Sequence, residues 1–116
     1  MNIIKENNRP NFVILNGKIT KFNEAKISIM SPGFTFAISV FEGLRGYWNN
    51  ENKTLYIFRL NDHLKRLNFS IKTVELDYNE NFSEIEIQIL ELIRKNNIKD
   101  NIYIRLQVYA DDWGSM

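Results

Sequence analysis

The run Ser39–Tyr47, SVFEGLRGY, places Glu42, Arg45 and two glycines inside a segment that otherwise reads as a β-strand. Glycine weakens a strand interior unless the strand bends or another backbone or a ligand must come close. At period two, Phe41, Gly43, Arg45 and Tyr47 point one way, while Glu42, Leu44, Gly46 and Trp48 point the other. The run IYIRLQVYA alternates as cleanly. Ile102, Ile104, Leu106, Val108 and Ala110 form an unbroken apolar face, opposite Tyr103, Arg105, Gln107 and Tyr109. A face of arginine and tyrosine suits a polar, planar ligand. It equally suits a solvated sheet surface on which these residues serve β propensity. Glu42 lies on the face away from Arg45, so it need be neither that residue's partner nor a catalytic acid.

Arg59 is a third candidate, set between the apolar run LYIF and a helix whose expected N-cap is Asn61. A guanidinium fork beside free helical N–H groups favours phosphate or carboxylate, although a single arginine at a helix start is commonly a plain surface residue. His63, Lys65 and Arg66 fall in the first turns of the same helix. Without cysteine or a carboxylate pair at ligand spacing, His63 reads as structural or surface rather than as a metal ligand. The glycines of FEGLRG do not have the spacing of a phosphate-binding loop, and no nucleophile–base pair is visible.

The elements that must hold these residues can be read from period and punctuation. FVILNGKITKF gives two short apolar runs around Asn16-Gly17, the dipeptide of a tight hairpin turn. AKISIM alternates and predicts another strand, which Ser31-Pro32-Gly33 breaks. FTFAISVF fits a short helical turn or a strand; from Phe41 onward a strand is expected, with WNNENKT as the turn that returns it into LYIF. Leu60, Leu64, Leu67, Ile71 and Val74 then recur at helical spacing. For a second helix, Ser83 and Glu86 suggest a capping box, with Phe82 and Ile87 at staple positions. Ile85, Ile89, Leu92 and Ile93 supply its buried stripe. The expected class is α+β, an antiparallel sheet with two helices packed on one face, over residues 12–116 after a polar arm at 1–11.

Composition bounds the function. In 116 residues, 44% are hydrophobic and 25% charged, with fifteen Lys plus Arg against fourteen Asp plus Glu. Such balance argues against a general nucleic-acid surface. The absence of cysteine excludes disulfides and thiolate chemistry. No apolar run reaches membrane-spanning length and no secretory signal opens the chain, so the expected setting is cytoplasmic, with no membrane partner.

Three stretches together resemble the class IV, fold-type-IV pyridoxal-phosphate aminotransferases, and the branched-chain amino-acid type in particular. They are NGKITKFNEAKISIMSPGFTFAISVFEGLRGYW, IFRLNDHLKRLNFSIK and YIRLQVYADDWGSM, in order from about Phe12 to the last residue. Relatives acting on D-amino acids or aminodeoxychorismate usually carry a Gly-Asp-Gly type sequence in place of VFEG, which favours the branched-chain side. The resemblance implies that Arg59 grips the phosphate of pyridoxal 5'-phosphate. It implies that Phe41, Gly43 and Arg45 border the substrate pocket, with Gly43 leaving room for a substrate backbone. Tyr103 and Arg105 match the pair that helps recognise substrate, including the side-chain carboxylate of glutamate.

Two departures qualify this picture. Where family members often have a pocket tyrosine, this chain has Phe36, so the pocket loses a hydroxyl, becomes more apolar and should handle glutamate less well. In the family, the lysine that forms a Schiff base with the cofactor lies in a second, C-terminal domain. Lys53, Lys65, Lys72, Lys95 and Lys99 sit in a turn, on helices or at a helix end, and none takes that role. The expectation is therefore the N-terminal small domain of an aminotransferase that moves amino groups between Leu, Ile or Val and 2-oxoglutarate. It is expected to form a homodimer, to need the C-terminal domain as a partner and to be inactive alone. The alternatives are a free-standing domain that binds a ligand or partner without catalysis, and part of a D-amino-acid transaminase or aminodeoxychorismate lyase.

Overall fold

The computed structural model describes residues 9–79 and 81–113; the rest of the expected N-terminal arm, residues 1–8, lies outside them. The described elements are antiparallel sheets with helices, the α+β class expected. The strands divide between two sheets rather than forming one. Residues 9–26 and 81–98 make one unit, and residues 27–79 and 99–113 make a second.

In the first unit, β1 (Phe12–Leu15) pairs antiparallel with β2 (Lys18–Lys21), and Leu15 stands opposite Lys18. The two-residue loop needs positive φ at both positions, and Asn16 and Gly17 adopt φ of 51° and 78°. Helix α3 (Phe82–Lys95) buries Ile85 and Ile89. Its cap is not Ser83, as the sequence suggests, but Asn81, whose side chain accepts from the Ser83 N–H at 2.9 Å. Asparagine caps at least as well as serine, so the helix starts two residues earlier and Phe82 falls inside it instead of acting as a staple. At the other end Asn96 doubles as a clamp. Its Oδ1 accepts from Phe12 N and its Nδ2 donates to Phe12 O, both at 2.9 Å, mimicking a strand pair and tying α3 to β1.

The second unit carries the sheet β4-β3-β5, with β3 (Ser39–Asn49) in the centre between β4 (Thr54–Ile57) and β5 (Ile102–Tyr109), all antiparallel. The strand expected over AKISIM does not form. Residues 25–28 are irregular, and Ile29 is 76% exposed. Alternation marks a strand only where a partner edge is available, and no described strand pairs with this segment. The break at Ser31-Pro32-Gly33 is the start of a short helix, α1 (Pro32–Thr35), capped by Ser31 with proline at its first position. The Gly33 N–H donates to Ala110 O at 2.8 Å, fastening α1 to the end of β5. Ala37 at φ 55° then turns the chain into β3, resolving FTFAISVF as helix followed by strand.

Helix α2 (Leu60–Thr73) packs on β3 through Leu64, Leu67 and Ile71, against a core that includes Leu44, Val108 and Ala110. Its N-cap is Arg59, not Asn61. Strand pairing persists to Phe58, whose N–H bonds to Arg45 O at 2.9 Å, so the chain must reverse within one residue. Arg59 makes that corner in the left-handed region, at φ 53° and ψ 42°, which leaves Asn61 already helical.

Candidate active site

Alternation along β3 divides its side chains as the sequence implies. Glu42, Leu44 and Gly46 are buried, whereas Phe41, Arg45 and Tyr47 are exposed. Register then assembles a face. Phe41 lies opposite Gln107, Gly43 opposite Arg105 and Arg45 opposite Tyr103. The Arg105 guanidinium carbon stands 3.7 Å from the centre of the Phe41 ring, and the Arg45 carbon 5.6 Å from the Tyr103 ring. Arg105 Nε donates to Gln107 Oε1 at 3.0 Å, and Gln107 Nε2 donates to Ser39 Oγ at 3.2 Å. Both guanidinium groups are thus stacked on aromatic faces, an arrangement that orients cations for a carboxylate.

At Gly43, where the sequence left room for a substrate backbone, the Tyr103 ring lies over the strand. A Cβ there would sit 2.8 Å from Tyr103 Cε2 and Oη, so the glycine admits the tyrosine ring across the strand. Gly43→Ala should therefore change stability by less than about 1 kcal/mol, because the contact is with the far end of a side chain. The Tyr103 ring should swing off the strand, and the Arg45 side-chain proton resonances should lose their ring-current shift in NMR spectra. Unchanged Arg45 shifts would contradict the stacked geometry.

Arg59 and Phe36 come from other elements. The Tyr47 and Phe58 rings meet edge to face at 6.4 Å, carrying the aromatic surface from the β3 face to the residue before Arg59. Arg59 Nε donates to Asp62 Oδ2 at 2.7 Å, and its side chain is 64% exposed. That hydrogen bond holds the Asp62 carboxyl below its ordinary range. An exposed guanidinium at the head of a 14-residue helix is a donor set that fits a phosphate. Phe36 packs edge-on against Trp113, with ring centres 5.3 Å apart.

One cluster was not anticipated. Glu42, 4% exposed, accepts from Arg66 Nε at 2.9 and 3.0 Å, from Arg66 Nη2 at 2.8 Å and from His63 Nδ1 at 2.8 Å. The available signal was a glutamate on the apolar face of a strand, with His63 and Arg66 three apart on one face of a helix. The Arg66 hydrogen bonds hold the Glu42 carboxyl below its ordinary 4.5; burial opposes them, and His63 adds to the lowering. A depressed folded-state pKa stabilises the fold above the unfolded value and is lost as pH falls through the folded one. Acid unfolding below about pH 4.5 should accordingly be shallower in Glu42→Gln than in the parent, as read by circular dichroism. Parallel acid profiles would remove Glu42 from the linkage.

Among the described residues, no group of three or more His, Cys, Asp or Glu could hold a metal ion, and no helix is long and apolar enough to cross a membrane. Residues 39–115, which contain β3, α2 and the paired strand β5, match the family Amino-transferase class IV. The chain belongs to the class IV aminotransferases. A probable branched-chain-amino-acid aminotransferase of Aquifex aeolicus is 37% identical over 101 residues, covering 87% of this chain and 32% of that protein. The crystal structure of a branched-chain aminotransferase from Thermoproteus uzoniensis with norvaline superposes with a TM-score of 0.82 at 38% identity, covering 90% of this chain and 34% of that one. A branched-chain amino acid aminotransferase from Thermobaculum terrenum in its PLP-form gives 0.78 at 33% identity, over 86% and 33%. This class IV chain thus spans about a third of the length of the relatives it matches.

Proposed function

We propose that this chain is the N-terminal part of a pyridoxal-phosphate-dependent branched-chain amino-acid aminotransferase, exchanging amino groups between Leu, Ile or Val and 2-oxoglutarate. The observation that carries the reading is the exposed face of β3 and β5, where two stacked arginines, two aromatic rings and Tyr47 lead toward Arg59. In this reading Arg59 holds the cofactor phosphate through charge-assisted hydrogen bonds. Arg45, Tyr103 and Arg105 recognise the carboxylate-bearing substrate. Phe41 and Gly43 form the wall behind it, Gly43 by seating the Tyr103 ring. Phe36 adds apolar surface where a hydroxyl would favour glutamate. When bound, pyridoxal phosphate supplies the electron sink that makes the substrate's α-proton labile. The amine that moves that proton comes from a lysine outside this chain, in a second domain, and the assembled enzyme is a cytoplasmic homodimer.

Transfer assays on the protein encoded by the complete reading frame test this. Turnover of Leu, Ile or Val with 2-oxoglutarate is expected; turnover of D-amino acids alone would overturn it. The stacked arginines of the β3–β5 face also suit one other reading, a domain that binds a carboxylate ligand without catalysis. An in-frame sequence after Met116 that supplies the lysine would exclude it. The 116-residue chain itself, incubated with pyridoxal phosphate and reduced with borohydride, should show only scattered lysine adducts by mass spectrometry. A stoichiometric adduct at one lysine would show that the reactive amine is already present.

A further inference from the structure

We propose that Glu42 is a positioning residue, which sets where Arg59 presents its guanidinium by latching α2 to β3 through His63 and Arg66. The inference rests on the reading of Arg59 as a phosphate anchor and deepens it. Glu42 stands between Phe41 and Gly43 in the chain but points to the opposite, buried face of β3. Its four hydrogen bonds all come from α2. His63 is one turn past Arg59, and its backbone N–H donates to the Arg59 carbonyl at 3.2 Å, so the latch seizes the first turn of the helix.

A buried carboxylate is a poor choice if stability alone is at stake, since apolar residues of similar volume commonly serve as well or better. What the cluster adds is direction. Arg66 reaches both carboxylate oxygens through Nε while His63 approaches Oε1, so rotating or sliding α2 breaks the set together. A slip by one residue's rise, about 1.5 Å, would carry Arg59 with it. Displacement on that scale is enough to cost about a hundredfold where a reacting group must be held in place. The same strand residues that border the substrate face are thereby keyed to the helix that carries the phosphate anchor.

The test compares the parent 116-residue chain with a variant combining Glu42→Leu, His63→Leu and Arg66→Met, using inorganic phosphate as the probe. Three readouts are needed: the urea midpoint, the heteronuclear NOE of the Arg59 Nε–H group, and the phosphate affinity from that group's chemical shift. The variant should keep or raise the urea midpoint, lower the Arg59 NOE and bind phosphate at least fivefold more weakly. An Arg59 NOE and affinity equal to the parent's would reduce Glu42 to a structural residue. Should the triple variant not fold, Arg66→Met alone removes three of the four bonds at a side chain that is 67% exposed. It must then show the same loss of Arg59 order, and unchanged order would overturn the proposal. If phosphate leaves Arg59 unshifted in the parent chain, the anchor reading fails, and the NOE by itself decides the positioning claim.

Discussion

Arg59→Gly should leave the urea midpoint of the chain unchanged or higher while weakening phosphate binding by about 10–100-fold. The two effects separate because Arg59 combines a strained backbone with a useful side chain. A residue with a Cβ in the left-handed region costs roughly 1–2 kcal/mol, which glycine avoids. Against that gain stands the greater freedom of glycine in the unfolded chain, roughly 0.5–1 kcal/mol. The exposed bridge to Asp62 contributes little to the balance. Phosphate binding loses charge-assisted hydrogen bonds worth about 1.5–3 kcal/mol, which sets the size of the affinity change. Phosphate titration by NMR and urea denaturation measure the two sides, with Arg94→Ala as a control for net charge. A lowered midpoint with undiminished binding would reverse the assignment.

Leu67→Ala should cost about 2–5 kcal/mol, whereas Val74→Ala should cost under about 0.5 kcal/mol. Both residues belong to one helical stripe in the sequence, but their environments differ. Leu67 is fully buried, and truncating it leaves a cavity that a close-packed core fills only in part. Val74 is 48% exposed and lies at the C-cap of α2, past the last turn that packs. For a domain of this size, total stability is about 5–15 kcal/mol, so the leucine variant approaches unfolding under ordinary conditions. Urea curves of the two variants measure the contrast; similar midpoints would mean that α2 packs differently from the arrangement described.

The legible part of the site was the part governed by alternation. Which side of β3 and β5 carries Phe41, Arg45, Tyr103 and Arg105 follows from period two, and Asn16-Gly17 called for its hairpin because few other pairs accept two positive φ values. The helical stripe placed Leu64, Leu67 and Ile71 in the core for the same local reason. Helix starts were less legible: Asn61 and Ser83 are both acceptable caps, and the choice of Arg59 and Asn81 depends on where the preceding chain has to turn. AKISIM shows the limit from the other side, since its alternation has no described strand to pair with.

The sequence by itself determined the faces of the two long strands and the identity of the stripe that packs, because each is written in short-range periodicity, while its motifs carried the resemblance to the family. Only the tertiary structure decided that the strands form two sheets, that Tyr103 fills the space at Gly43, and that Glu42 is bonded to His63 and Arg66. Those facts join residues 60, 21 and 24 positions apart. Side chains at such separations meet only once register and packing have brought their elements together.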